Sequence, residues 1–199
     1  MRKIVFIMSY GTSFNDWEKT GILKSRLKLI ESLIGIYPEV FIFTYDDHHK
    51  VYRYLKLLPR GVKVLPKPKF LNKFLHSILT PILRHKELRG STLARSWQLW
   101  GSWPALLMKL LYRSRFLLRQ GFQYSKFVKK RRWLYLLATV YEKLAYTMAD
   151  KVIVTTKEDR DYIVSRYGID PRRIAVIPNW VDTKLFRPRD CLLYTSPSP

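Results

Sequence analysis

Ala149-Asp-Lys-Val-Ile-Val-Thr-Thr-Lys-Glu-Asp159, continued by Tyr167-Gly-Ile-Asp-Pro-Arg-Arg-Ile-Ala-Val-Ile-Pro-Asn-Trp-Val-Asp-Thr-Lys-Leu-Phe-Arg-Pro188, is the stretch whose reading decides the fold. Val152, Ile153 and Val154 form a short β-branched run, as a strand buried on both faces requires. Thr156 with Asp159 fits a capping box, so a helix is predicted to start there. Gly168 is placed to close that helix in the left-handed conformation. Asp170-Pro171 makes a turn, and 174–177 reads as the next strand. Pro178 cannot donate to a sheet ladder, so the strand ends and Asn179 opens a loop.

Outward from this unit the alternation repeats. Residues 4–8 read as a buried first strand, and 9–15 as a small-polar loop containing Gly11. A single helix is predicted over about 17–33, closed by Gly35 and Pro38. Strands follow at 40–44 and 62–65, with a helix at 51–58 between them. Beyond these come an extended piece ending near 97–100, a helix over 104–111 with Pro104 in its first turn, and a strand at 116–118. Strands alternating with helices imply an α/β fold, a Rossmann-like parallel sheet flanked by helices with right-handed crossovers.

Two apolar segments carry a choice. Within 67–87, Phe70, Leu71, Phe74, Leu75, Ile78, Leu79, Ile82 and Leu83 make one stripe, with Lys69, Lys73, His76 and Arg84 off it and Pro81 kinking the helix or starting another. Core is the usual reading of such a stripe. A membrane-surface helix is the other, because basic flanks with Phe and Leu on one face suit that role. Residues 133–149 contain Glu142 and Lys143, so they read as a buried helix rather than a span.

The formal net charge is +22, and it is localised: between Asp47 and Glu142 the only acid is Glu87. Such a block seeks an anionic partner, whether lipid head groups, nucleic acid or phosphorylated substrates. Phe122, Tyr124, Phe127 and Trp133 are interleaved with Lys126, Lys129, Lys130, Arg131 and Arg132, which suits a membrane interface or single-stranded nucleic acid. A solvated basic loop is the bland alternative. No usual nucleic-acid module is visible. One cysteine, Cys191, leaves no disulfide and no Cys-based metal site, and a reducing setting is the natural reading.

Ile177-Pro178-Asn179 followed by Val181-Asp182 and Phe186 resembles the interdomain linker of the retaining group 1 (family four) glycosyltransferases of GT-B architecture. Gln98, Gly101-Ser102-Trp103 and Arg119-Gln120-Gly121 are similar to a subgroup of the same family. Trp180 departs from the glycine that most members carry. The resemblance implies an N-terminal, acceptor-side domain over 1–178, a linker over 179–190, and a donor-binding domain beyond it that carries the family's Lys/Arg pair and paired glutamates. Residues 191–199 look like a translated adapter remnant or a disordered Ser/Pro tail, outside the fold. It further implies sugar transfer with retention from a nucleotide-sugar to a glycan or lipid-linked glycan acceptor, with no cofactor and no metal. The setting would be cytoplasmic, peripheral at the inner face of the cell membrane. A non-catalytic basic module for anionic membrane or nucleic acid is the competing class.

In an open parallel sheet, ligands lie beyond the carboxyl ends of the strands. Gly11 allows close backbone approach there, and Gly21, inside the expected first helix, is where family members often carry a glycine near the donor phosphates. Gln98 and Gln120 can hydrogen-bond sugar hydroxyls, Arg119 can pair with a phosphate, and Gly101 completes the substrate-binding set. Phe74, Lys129, Lys130, Arg131, Arg132 and Trp133 form the membrane-binding set. No catalytic base is assigned: many family members have His where Gln120 stands, and His48, His49, His76 and His85 fit no cleft position on this reading. The adjacent His48-His49 pair lacks zinc-site spacing.

Overall fold

The computed structural model describes residues 2–180. The expected linker beyond Trp180 and the expected tail 191–199 lie outside the described residues. Seven strands, β1 (Lys3–Ile7), β2 (Glu39–Asp47), β3 (Val62–Lys67), β4 (Leu93–Ser96), β5 (Arg115–Arg119), β6 (Lys151–Val154) and β7 (Ile174–Val176), form one sheet in the order β3-β2-β1-β4-β5-β6-β7. Every pairing among them is parallel. β4 is therefore the middle strand with β1 beside it, and the strand order reverses between the two.

Successive side chains of a strand leave on opposite faces, so a doubly covered strand feeds two cores. In β1, Val5 and Ile7 pack with Phe41, Phe43, Phe116, Leu118 and Tyr146 on one face. Ile4 and Phe6 pack with Ile30, Val40, Ile42, Tyr54 and Trp97 on the other. The helices are α1 (Phe14–Lys19), α2 (Leu23–Ile34), α3 (His48–Leu55), α4 (Lys73–Leu83), α5 (His85–Leu88), α6 (Trp103–Tyr112), α7 (Tyr124–Phe127), α8 (Arg132–Met148) and α9 (Lys157–Tyr167). The diagnostic unit forms as its residues dictate. The Thr156 side chain accepts from Asp159 N, Gly168 caps α9 at φ 68°, and Asp170 caps the turn into β7.

Three expectations are corrected. The first helix is two helices, because Gly21 sits at φ 71° between α1 and α2, a left-handed position that interrupts the turn. The stripe of 70–83 is core only in part: Leu71 is buried and Ile78 and Leu79 are half-buried. α4 buries His76, Ser77, Thr80 and Pro81 and leaves Phe74, Leu75, Ile82 and Leu83 exposed, with Phe70 before it 80% exposed. Its inner face is polar because the sheet offers polar partners: His76 Nε2 meets Thr44 O at 2.9 Å and the Tyr45 and Ser77 hydroxyls pair at 2.7 Å, while within the helix Thr80 Oγ1 meets His76 Nδ1 at 2.6 Å. His76 also stacks on Phe43, centroids 4.4 Å apart. Pro81 stays inside the last turn of α4.

The third correction concerns α8, which is buried on one side only. Ala138, Tyr141, Glu142, Ala145 and Tyr146 face the sheet, while Trp133, Leu136, Leu137, Val140 and Leu144 face outward. Trp103 stacks on Tyr141 at 4.5 Å and joins α6 to α8. Among the described residues no helix is long and apolar enough to cross a membrane.

Candidate functional site: the cleft at the strand-order reversal

The loops leaving the carboxyl ends of β1 and β4 part in opposite directions, which opens a crevice between them. The β1 loop is tied at its base, with Met8 N donating to Phe43 O at 3.0 Å and Trp97 N to Ile7 O at 3.0 Å. Gly11 adopts φ 75°, and Lys73 Nζ from the start of α4 reaches its carbonyl at 3.3 Å. Ser13 caps α1 by the reciprocal bond with Asp16. The buried Asp46 carboxylate accepts from Phe14 N at 2.8 Å and from the Thr44 hydroxyl, fixing where α1 begins.

The β4 loop presses directly on this one. Gly101 is buried, and a Cβ built there would lie 2.3 Å from Met8 O. Only glycine permits that approach. Between the loops is a 280 Å³ cavity walled by Ser9, Thr12, Asp16, Arg26 and Gln98. Gly121 N, after β5, donates to Gln98 Oε1 at 3.4 Å. A Cβ at Gly121 would come within 3.8 Å of the Arg119 guanidinium. Arg119 in turn donates to Asn179 Oδ1, after β7. Gln98, Gly101, Arg119 and Gly121 thus meet at one place, reached from β1, β4, β5 and β7.

Gln120 adjoins them but is buried, its Nε2 donating to Phe122 O at 2.7 Å while its Oε1 has no partner among the described residues. Gly21 does not join the group. It lies at the α1–α2 junction, beside a separate cavity with Leu23, Lys24 and Leu27. The expectation that no histidine reaches a cleft is corrected by His49. It lines a 610 Å³ cavity on the β2 side, with Gly11, Asp16, Asp47, Lys67 and Lys73.

Each carboxylate on that wall is engaged. The Ser13 hydroxyl bond holds the Asp16 carboxyl below its usual range, against a smaller opposing effect of burial. The hydrogen bond from Lys67, 2.7 Å away, holds Asp47 low. Asp46 is committed to α1. The wall is therefore a set of fixed donors and acceptors, suited to binding a polar ligand rather than to carrying its protons. Among the described residues no cluster of three or more His, Cys, Asp or Glu is placed to hold a metal ion.

The loop from Gly121 into α7 is held by a buried acid. Glu142 Oε1 accepts from Ser125 N at 3.0 Å, and its Oε2 accepts from Ser125 Oγ at 2.7 Å and from the Tyr167 hydroxyl. Sequence reasoning noticed Glu142 only as a charge in an apolar run. It also missed Arg26 and Arg95. Both lie on faces with apolar neighbours: Arg26 between Leu23 and Ile30 on α2, Arg95 between Leu93 and Trp97 on β4. An arginine at an inward position of a strand was the available signal.

The family model described as Glycosyltransferase Family 4 matches residues 29–185, most of the chain and every described loop after α2. The chain belongs to glycosyltransferase family 4. A D-inositol 3-phosphate glycosyltransferase from Thermomonospora curvata is 44% identical to this family 4 chain over 45 residues, 23% of this chain and 10% of that protein. Sucrose-phosphate synthase from Thermosynechococcus elongatus superposes with a TM-score of 0.63 at 15% identity, over 95% of this chain and 51% of that one. Anabaena HepE superposes with a TM-score of 0.62 at 15% identity, over 96% and 48%. At that identity the superpositions speak for the fold. The family 4 chain spans about half the length of the solved proteins it matches and about a tenth of its curated relative.

Proposed function

We propose that this chain supplies the acceptor-side half of a glycosyltransferase. The enzyme moves a hexosyl group from a nucleotide-sugar to a glycan or lipid-linked glycan, with retention. The observation that carries the reading is the family match running through β4, β5 and β7, the strands whose loops build the cleft. On this reading Gln98 orients sugar hydroxyls, Arg119 holds a phosphate oxygen, and the tight Gly101 contact fixes both loops. HepE was solved with UDP and glucose and with UDP-glucose, which supports UDP-sugars as the first donors to try. On this reading a second domain brings the remaining donor contacts.

The test is transfer by a protein in which this chain is joined to a family 4 donor-binding domain. Labelled UDP-sugars and lipid-linked acceptors should give product, and Gln98→Ala and Arg119→Ala should each lower kcat/KM at least tenfold. The chain 1–199 alone should turn over none. Product formation by the long protein that both substitutions leave unchanged would remove this cleft from the reaction.

We further place the working surface on an anionic membrane, at the cytoplasmic face. Support comes from the outward faces of α4 and α8. Phe127 is 72% exposed and Trp133 65%, beside the exposed cations Lys129, Lys130, Arg131 and Arg132. Apolar rings among cations match a surface that is apolar within and negative outside. Phe74 and Ile82 on α4 extend the same kind of surface.

A further inference from the structure

On the α2 side of the sheet, β4, β5 and β6 turn a face toward a 490 Å³ cavity. Its floor is Leu93, Leu117 and Ile153, and α2 forms one wall. Three arginines enter it: Arg26 from α2, Arg95 from β4 and Arg119 from β5. Arg95 and Arg119 are each 8% exposed. A buried cation normally has a carboxylate partner, because desolvation costs more than weak contacts return. None of the ion pairs among the described residues includes any of these three.

What they have instead is insufficient. Arg26 and Arg95 lie against one indole, 5.3 and 4.9 Å from the Trp97 ring centroid, and Arg95 is 5.4 Å from the Phe6 ring. Arg119 has the Asn179 amide oxygen. Arg26 Nε and Arg95 Nη1 are buried without any partner among the described residues. Burial pushes Arg26 and Arg95 down to about 10, and repulsion from Arg119 adds to both. A guanidinium stays protonated in proteins, so all three carry charge at neutral pH.

We propose that Arg26, Arg95 and Arg119 form a phosphate-binding site on this face of the sheet. Planar guanidiniums offer paired N–H donors matched to phosphate oxygens. Three of them converging on one cavity provide both the donors and the charge that a buried phosphate needs. The cavity is larger than one phosphate, and its floor is apolar, so it also has room for an apolar body attached to that group. The site shares Arg119 with the cleft but does not depend on sugar transfer.

The test is calorimetric titration of chain 1–199 with inorganic phosphate, at constant ionic strength set by chloride. Saturable binding near one phosphate per chain is expected, with a rise in Tm that equal chloride does not give. Arg26→Met and Arg95→Met should each weaken binding at least tenfold. Should Arg95→Met fail to fold, Arg26→Met, on a half-buried helix position, carries the test. A variant with Lys129, Lys130, Arg131 and Arg132 changed to Ser should bind phosphate as the parent does, which separates the site from general attraction to a basic chain. Decyl phosphate binding more tightly than inorganic phosphate would show the floor taking an apolar body; equal affinity would show a site for the free ion. Absence of saturable binding, or binding indifferent to Arg26→Met and Arg95→Met, overturns the proposal.

Discussion

Gly101→Ala probes the cleft at its tightest point. The added Cβ would stand 2.3 Å from Met8 O, 3.0 Å from Met8 C and 3.0 Å from Ser9 Cα. All three are backbone atoms, so no rotamer change relieves the contact. Nor can the β1 loop retreat freely, since Met8 N is bonded to Phe43 O and Trp97 N to Ile7 O, each at 3.0 Å. Relief requires moving one loop by about an ångström, against central strands of the sheet. Overpacking in well-packed sites costs typically 1–3 kcal/mol, and the upper end, about 3 kcal/mol, applies where backbone must yield. For a chain of this size that lowers Tm by roughly 6–12 °C. Gly21→Ala is the control. Its Cβ meets nothing within 4 Å, but its φ of 71° costs an L-residue about 1–2 kcal/mol, so a smaller loss of Tm is expected. Thermal and urea unfolding of both variants read the difference. If Gly101→Ala melts within a degree of the parent, or above Gly21→Ala, the loops do not make the described contact and the account of the cleft fails.

Three further outcomes are expected. Glu142→Ala removes the acceptor of two Ser125 bonds and of Tyr167; at about 1.5–3 kcal/mol for a hydrogen bond to a charged group, Tm should drop by several degrees, and trypsin should cut 126–132 faster. An unchanged Tm and unchanged cleavage would dissociate Glu142 from that loop. Burial holds His76 down to about 4, against an ordinary 6.5, so the native state keeps it neutral while the unfolded chain takes up a proton. That contribution is complete above pH 6.5 and is lost as pH falls toward 4, by up to about 3 kcal/mol; His76→Gln should flatten the stability curve over this window, and a parallel curve would contradict it. In vesicle co-sedimentation the chain should prefer anionic over neutral lipid, keep part of its binding at high salt, and lose most of it when Lys129, Lys130, Arg131 and Arg132 become Ser. Binding to single-stranded RNA or DNA at physiological salt without binding to anionic vesicles would favour a nucleic-acid partner instead.

Where local chemistry and the buried pattern agreed, the sequence could be read directly. Ile4, Val152 and their neighbours are apolar because both sheet faces are covered, and Thr156, Gly168 and Asp170 mark ends by side-chain caps or a left-handed turn. α4 misled because its apolar stripe and its buried face differ. Periodicity shows that one face is apolar, not that the protein covers it, and the partners that turned His76 and Ser77 inward come from β2, some thirty residues earlier, with Thr80 bonded to His76 in turn. The cleft was half legible for the same reason. Gln98, Gly101 and Arg119 sit in short quotable motifs, whereas Arg26 joins them only through the fold, against the Trp97 ring and beside Gln98 in one cavity.

Burial divides the basic charge of this chain into two kinds. The cations at 129–132 stand in water, where each is worth about 1 kcal/mol to an anionic surface and salt screens it. Arg95 and Arg119 have given up that hydration and half-buried Arg26 part of it, and their mutual repulsion acts through a medium that screens poorly. The first group costs the fold little and can be lost without harm to it. The second is a standing cost, offset in part by the Trp97 and Phe6 rings, and a fold that needed only stability would have placed apolar side chains there. That asymmetry gives Arg26→Met and Arg95→Met opposite effects on two observables. They should weaken phosphate binding while leaving the phosphate-free chain as stable as the parent or more so, whereas arginines serving only as scaffold would lower its stability.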